Sequence, residues 1–548
     1  MEGFRKSLLE EFTDIYVFNL RGNARTSGEL RRKEKDNVFG EGTRTPVAIT
    51  VLIKKPSKPA ASTIHYCDIG DYLTREQKLG IVRDMQSVEG TPWTDIAPNE
   101  RGDWINQRGG KFDTFFALGD KSKDGGDKKI TFFGANYSMG LKTGRDAWAT
   151  SYCRDQLIEQ MSCMIDYYHN IIYARACLIK ETNPNFDEVL AKDETQISWT
   201  RSLLADCKRG KRFVGNVEDS VMFGSYRPFC KKAVFCHPMF NDLYTPARKL
   251  FPSINCTNLI ICTTGLGITK DFTANVTDLL PDIHFMDTGQ CFPLYYYEPA
   301  TSQGLLASEG EEVVDGYVRR DAITDAMLSE CQKRYGAEIT KEDIFFYVYG
   351  ALHSPKYREE YANELKKELA RLPLPARAET FLAISGIGRN LADIHVNYET
   401  GRSTIRDRKG RKHNELESYP LDIKFKAAEG VPDEVLYRVG DRKMKLGTYE
   451  EKQEDGTKRK RFDGTLKFND RITFAGIPQE AFQYVVNGRS PLEWLVERYY
   501  VRTDKASGIV DDPNLWSEDP KYVFKLVGRL ASVAVETVKL TATLPDLE

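Results

Sequence analysis

Apolar residues recur along this chain with periods that change from segment to segment. Ile15–Leu20 and Val47–Ile53 are near-continuous runs of apolar and β-branched residues, which predict two strands covered on both faces in an α/β layer structure. Ahead of them Met1–Glu11 carries an amphipathic helical pattern, and Ile64–Ile69 reads as an edge strand. Thr74–Gln86 predicts a helix capped by Thr74, with Glu76 and Gln77 in its first turn. The clearest helical repeat runs over Asp146–Ile179, where Leu157, Met161, Met164, Ile165, Tyr168 and Ile172 fall at three- and four-residue spacing. That stripe predicts core packing. Cys256–Glu298 reads as consecutive strands, Ile323–Pro375 as three helical stretches, and Tyr522–Thr537 as a last helix.

Composition narrows the class. A chain of 548 residues with 41% hydrophobic and 29% charged residues can bury ample apolar surface, so global disorder is excluded and two to four domains are expected. The polar stretch GDKSKDGGDKK, Gly119 to Lys129, predicts a linker between a domain over 1–118 and another over 130–548. The acidic stretch from Ala300 to Asp315 suggests a further division of the second near 300–320. A formal net charge of −2 neither requires nor excludes nucleic acid, because a locally basic face can coexist with acidic elements. No apolar run is long enough to span a bilayer and MEGFRKSLLEEF is not a signal peptide, so a cytoplasmic location is expected. Eleven cysteines lie singly, with no CxxC pair, which argues against a disulfide framework or a zinc ribbon. Cys230 with Cys236 and Cys256 with Cys262 lie near His237, yet their spacing matches no standard metal site and predicts buried thiols.

The basic residues cluster. Between the first two strands stand Arg21, Asn23, Arg25, Arg31, Arg32, Lys33 and Arg44, interleaved with Gly22, Gly28, Gly40 and Gly42. A mobile loop of that kind can meet phosphates with guanidinium groups and backbone amides, and a solvated charged loop is the alternative. Lys142, Thr143 and Arg145 open the long helical region, where positive charge and free amides converge on an anion. Lys208, Arg209, Arg212 and Arg227 alternate with Tyr226, Phe229, Phe235 and Tyr244, a mixture suited to phosphate contact and stacking. Thr263, Thr264 and Lys270 lie at a predicted strand end. Arg406 and Arg408 form a further basic cluster, and Lys458 and Arg459 another, in a predicted loop between two strand-like runs. His284 beside Asp282 invites a general-base role, but no nucleophile motif accompanies it and a structural histidine is expected.

The stretches DIYVFNLRGNARTSGELRRKE, NVFGEGTRTPVAITVLIKKP and IHYCDIGDYLTREQKL resemble the C-terminal part of the methyltransferase in type ISP restriction-modification enzymes. ITFFGANYSMGLKTGRDAW resembles that family's entry into its specificity domain, and the runs Gly289–Tyr295, Tyr347–Pro355, Asp393–Tyr398 and Val486–Ser490 continue the likeness. The resemblance implies an α/β protein: a C-terminal remnant of a Rossmann-like adenine methyltransferase sheet, then a large mixed α/β target-recognition domain. It implies double-stranded DNA as partner, and adenine methylation with S-adenosylmethionine in the intact enzyme. Methyltransferases of that kind hold a flipped adenine on an Asn/Asp-Pro-Pro-Tyr/Phe loop. No two prolines are adjacent here. The glycine turn for S-adenosylmethionine has only poor imitations in Phe39-Gly-Glu-Gly, Phe213-Val-Gly-Asn and Ser385-Gly-Ile-Gly, each expected to be a turn. No cofactor is therefore expected on this chain alone, and a separate chain carrying the catalytic half, helicase and nuclease is an expected partner. A complete but unconventional methyltransferase and an inert truncated product are the alternatives.

Overall fold

The apolar runs at the N-terminus do form strands, but the two pair with each other at one side of a sheet. The computed structural model describes residues 2–26, 28–40, 42–55, 62–121, 130–181, 193–244, 249–300, 312–413, 415–452 and 458–548. It is mixed α/β and divides into two units. The first holds residues 1–115 with 266–272 and 359–370, and the second 116–265, 273–358 and 371–548. Most of the predicted linker, 122–129, lies outside the described residues.

In the first unit, helix α1 (Glu2–Glu11) leads into β1 (Asp14–Arg21), α2 (Gly28–Glu34), β2 (Val47–Ile53), β3 (Thr63–Asp68), α3 (Arg75–Met85) and β4 (Thr94–Ile96). The strand order is β2-β1-β3-β4, with β1 antiparallel to β2 and parallel to β3. Two expectations are corrected here. Val47–Ile53 is not covered on both faces: Ala48–Leu52 are all exposed, and among the described residues β1 is its sole strand neighbour. Ile64–Ile69 is not an edge, because β3 lies between β1 and β4. A continuous apolar run reports what a strand can bury, not what stands beside it.

Phe18, Leu20, Val38, Cys67 and Ile69 make the core of this unit, with Leu79 and Val82 of α3 and Trp93 packed on it. Thr74 and Gln77 form a reciprocal capping box that starts α3 as predicted. Buried Asp103 gathers Arg108 at 2.8 Å, Arg5 at 2.9 Å and Lys367 at 3.3 Å. Burial raises its pKa, but these cations outweigh it and hold the carboxyl well below the usual range.

The second unit carries mainly antiparallel sheets, with Leu280–Pro281 parallel to Val221–Arg227, and among the described residues its buried apolar side chains include two clusters. One sheet runs in the order Ala274–Thr277, Ile260–Thr263, Gln290–Pro293, Ser138–Met139, and another Leu280–Pro281, Val221–Arg227, Cys230–Phe235, Thr150–Ser151. The long helix begins at Arg154 rather than Asp146. Thr150 and Ser151 leave helical geometry to pair with Val234 and Ala233, so the preceding turn, Asp146–Ala149, stands as a separate short helix. Its stripe of Leu157, Met161, Met164, Ile165 and Tyr168 is buried as expected.

Beyond its charged first turn, Lys341 to Asp343, helix Lys341–Ala351 is apolar all round and correspondingly buried on every side. It packs on helix Ala378–Val396, which contains Ser385-Gly-Ile-Gly388; that segment is helix, not a turn. Gly388 permits the approach, since a Cβ there would meet the Phe346 carbonyl at 1.9 Å. The last helix extends over Tyr522–Ala542. All eleven cysteines are free thiols. Among the described residues no cluster could hold a metal ion, and no helix is long and apolar enough to cross a membrane.

Candidate nucleic-acid interface

The basic connection between β1 and β2 is not the mobile loop its composition predicts. Lys78 reaches from α3 with its ammonium fully buried and donates to the carbonyls of Leu20 at 2.9 Å, Glu34 at 3.0 Å and Asp36 at 2.7 Å. Asn37 donates to the carbonyls of Gly22 at 3.1 Å and Thr45 at 2.8 Å, closing the far side. Gly22 is required there: its φ is +89°, and a Cβ would stand 2.9 Å from the Asn37 Cα. These groups satisfy backbone acceptors that a loose loop would leave to water.

Pinning the connection sorts its cations. Arg21 donates to Asp68 at 2.7 Å and also pairs with Asp71, and Lys33 lies 3.5 Å from Asp71. Burial raises the Asp68 pKa, but Arg21 and the Gly70 amide lower it further, so the carboxylate stays ionised. Arg31 turns back onto the Lys35 carbonyl, and Arg32 is half-buried. Asn23 shapes the turn, accepting from the Arg25 amide at 3.1 Å and donating its own amide to Glu34 at 2.9 Å. Arg25 and Arg44 are left exposed, with no ion-pair partner among the described residues. Phe39, 71% exposed, stands on the same connection.

In the second unit many expected contacts are internal. Lys142 pairs with Asp242 at 3.2 Å, and Thr143 is buried with its hydroxyl on Asp146. Arg145 is buried too. Arg209 pairs with Asp206 at 2.6 Å, Lys208 is exposed, and Arg212 is exposed with no ion-pair partner among the described residues. Arg227 lies over the Tyr226 ring and bridges Asp282 at 2.7 Å and Asp146 at 3.4 Å. Burial is the main reason the Asp282 carboxyl is pushed up to about 7, with Asp146 adding to it and Arg227 opposing. His284 gives only its backbone amide to Asp282, at 2.8 Å, while its ring is half-exposed.

Thr263 and Thr264 are buried at the end of an inner strand, out of reach of a duplex. Lys270 falls in the first unit and is half-buried. Arg406 is exposed and folds onto the Gly410 carbonyl at 2.7 Å. Arg408 grips the buried Asp343 with two bonds, at 2.7 and 2.5 Å, which gives it a structural role. Lys458 and Arg459 lie in strand Lys458–Lys467 and not in a loop, paired with Lys452 and Glu451 of strand Lys445–Lys452; their side chains lie outside the described residues.

Sequence reasoning passed over Lys424 and Lys426. Strand Asp422–Phe425 is an exposed sheet edge that shows Ile423, Lys424 and Phe425, followed by Lys426, and neither lysine has an ion-pair partner among the described residues. The alternation of apolar and cationic residues in DIKFK was the available signal.

A family model described as the Type ISP C-terminal specificity domain matches residues 132–526. The chain belongs to the Type ISP family. It is similar to a nuclease-deletion mutant of the Type ISP restriction-modification enzyme LlaGI in complex with a DNA substrate mimic, at 34% identity and a TM-score of 0.78. It is also similar to the ATP-dependent Type ISP enzyme LlaBIII bound to DNA, at 33% identity and 0.78, and to DrdV in a DNA complex, at 27% and 0.75. The match covers 100%, 100% and 99% of this Type ISP chain but 45%, 32% and 49% of the respective neighbours. No curated protein matches the sequence.

S-adenosylmethionine does not fit the glycine stretches of this chain. Gly386 and Gly388 lie within a helix, and Gly40 follows the exposed Phe39 in the connection ahead of β2. In Phe213–Asn216 the phenyl ring is buried in a side cluster of the second unit. None of them is a turn leaving a strand toward a cofactor.

Proposed function

We propose that this chain is the DNA target-recognition part of a Type ISP restriction-modification system, acting in the cytoplasm with the methyl-transfer chemistry carried elsewhere. The observation that carries the reading is the specificity-domain match over residues 132–526, supported by neighbours whose structures contain DNA. Arg25 and Arg44 of the first unit, and Arg212, Lys424 and Lys426 of the second, supply phosphate contacts, since their charge is not already spent on a carboxylate. Arg21, Lys33, Lys142, Arg209, Arg227 and Arg408 hold the scaffold.

The first unit is read as a methyltransferase-type remnant, and its open strand β2 supports this. Ile49, Val51 and Leu52 are exposed along a sheet edge that has no further strand among the described residues, the feature expected where another part of the enzyme continues the sheet. S-adenosylmethionine and the adenine-holding loop belong to that other part. The test is to mix the purified chain with radiolabelled S-adenosylmethionine and duplex DNA. The reading expects no label retained on protein or DNA; methylated DNA would show a complete methyltransferase instead.

A further inference from the structure

The second unit contains a cavity of about 770 Å³ whose cationic groups are not used by the interface described above. On its wall Arg145 is only 4% exposed, and of its guanidinium nitrogens Nη2 donates to the Thr200 hydroxyl at 2.9 Å while Nε and Nη1 are buried with no hydrogen-bond partner among the described residues. The charge lies 5.6 Å from the Phe240 ring. Burial pulls the Arg145 pKa down to about 10, with Asp242 offering distant compensation, so the group stays protonated at neutral pH. A buried cation with unmet donors is costly unless an anion meets it.

The other charges on the wall are largely cancelled by their neighbours. Lys232 pairs with Asp511, Arg227 with Asp146 and Asp282, and Glu497 with Lys443 at 2.8 Å. Asp504 is held within its own turn by the Ser507 amide and hydroxyl, each at 2.9 Å. Arg498 and the exposed Arg502 are further cations without an ion pair among the described residues, set against one such carboxylate, the exposed Glu194. The Arg498 Nε is buried with no hydrogen-bond partner among the described residues, and the Tyr152 hydroxyl fixes its backbone carbonyl at 3.1 Å. The uncharged part of the wall is mixed, and it includes the aromatic rings of Trp148, Trp199 and Tyr500 beside the aliphatic Ile197, Leu204 and Ile509. A lone phosphate is far smaller than this space, which has the volume of a site for a ligand with a ring.

We propose that this cavity binds a nucleotide, its phosphate taken by Arg145 and Arg498 and its base lying against the aromatic rings. The nucleotide can be free or can belong to a DNA strand; the free form satisfies the site without the DNA-recognition reading. Arginine forks bind phosphate in two directions at once, and every base offers a face to an aromatic ring.

Calorimetric titration of the full chain with the four deoxynucleoside monophosphates, inorganic phosphate and deoxyadenosine tests this. At least one monophosphate is expected to bind ten times more tightly than phosphate or the nucleoside. Arg145→Met and Arg498→Gln are each expected to weaken it at least tenfold. Without ligand, R145M is expected to melt at or above the wild-type temperature, because an unmet buried charge is gone. Should R145M not fold, the half-exposed Arg498 still reports on the pocket. Displacement of the bound monophosphate by duplex DNA assigns the site to a strand nucleotide, and its absence to a free nucleotide; both sustain the pocket. Failure of all four monophosphates to bind, or binding indifferent to both substitutions, overturns it. Duplex binding measured alone scores the recognition function separately.

Discussion

Replacing Lys78 with methionine removes the pin of the basic connection while keeping the length and apolar stem of the side chain. The substitution leaves the carbonyls of Leu20, Glu34 and Asp36 without their donor. Losing the partner of a buried acceptor costs about 1–3 kcal/mol. The Leu20 bond is fully buried and the other two are partly so, and water can replace part of what those two lose. Burial lowers the Lys78 pKa, so removing the ammonium also returns some free energy. The net expectation is a local loss of about 3 kcal/mol, roughly a hundredfold in the opening equilibrium of the connection. Hydrogen exchange reads this directly. The amide of Ala24, bonded to the Arg44 carbonyl at 3.0 Å, and that of Lys35, bonded to Arg31 at 3.0 Å, should exchange about a hundredfold faster. Amides of helix Lys341–Ala351 in the second unit should not change. Less than a threefold change at Ala24 and Lys35 refutes the pinning argument, and so does an equal loss of protection everywhere.

Three further outcomes are expected. Arg25→Ala and Arg44→Ala should each weaken duplex binding across all sequences and reduce the salt slope by about 1, read by titration at several ionic strengths. Gly388→Ala should cost about 3 kcal/mol or more in urea unfolding, since its methyl group meets the Phe346 carbonyl across the helix pair. His395 is fully buried between the Tyr349 hydroxyl at 2.6 Å and the Thr537 hydroxyl at 2.8 Å, and burial followed by Arg358 holds its pKa at about 3. Because the folded value lies below the ordinary 6.5, this contribution is complete above pH 6.5 and is lost as pH falls toward 3, up to about 5 kcal/mol. Denaturation midpoints at pH 7 and pH 4 should therefore differ less for His395→Gln than for the wild type.

What the sequence disclosed follows from which interactions are local. The Thr74 cap and the stripe from Leu157 to Tyr168 depend on spacing within one helix, and both appear where spacing places them. The exposure of β2 and the interior place of β3 depend on which strands stand beside them, which an apolar run does not encode. The interruption at Thr150 and Ser151 likewise comes from a distant partner, the strand Cys230–Phe235, which overrides local helical preference. Among the candidate contacts, charge clusters were legible but charge pairing was not. Arg408 and Arg25 look alike in the sequence, yet the first is committed to Asp343 and the second is open. Arg145 was visible as a cation at a turn, and only the fold shows that it is buried beside a cavity.

Titration of the purified chain into duplex DNA over a salt series tests recognition most directly. The account predicts saturable binding of a preferred duplex, falling steeply in affinity between about 50 and 200 mM salt, with random duplex bound more weakly by about a thousandfold or more. Equal affinity for all duplexes at every salt concentration, or no binding at the lowest salt, would contradict it.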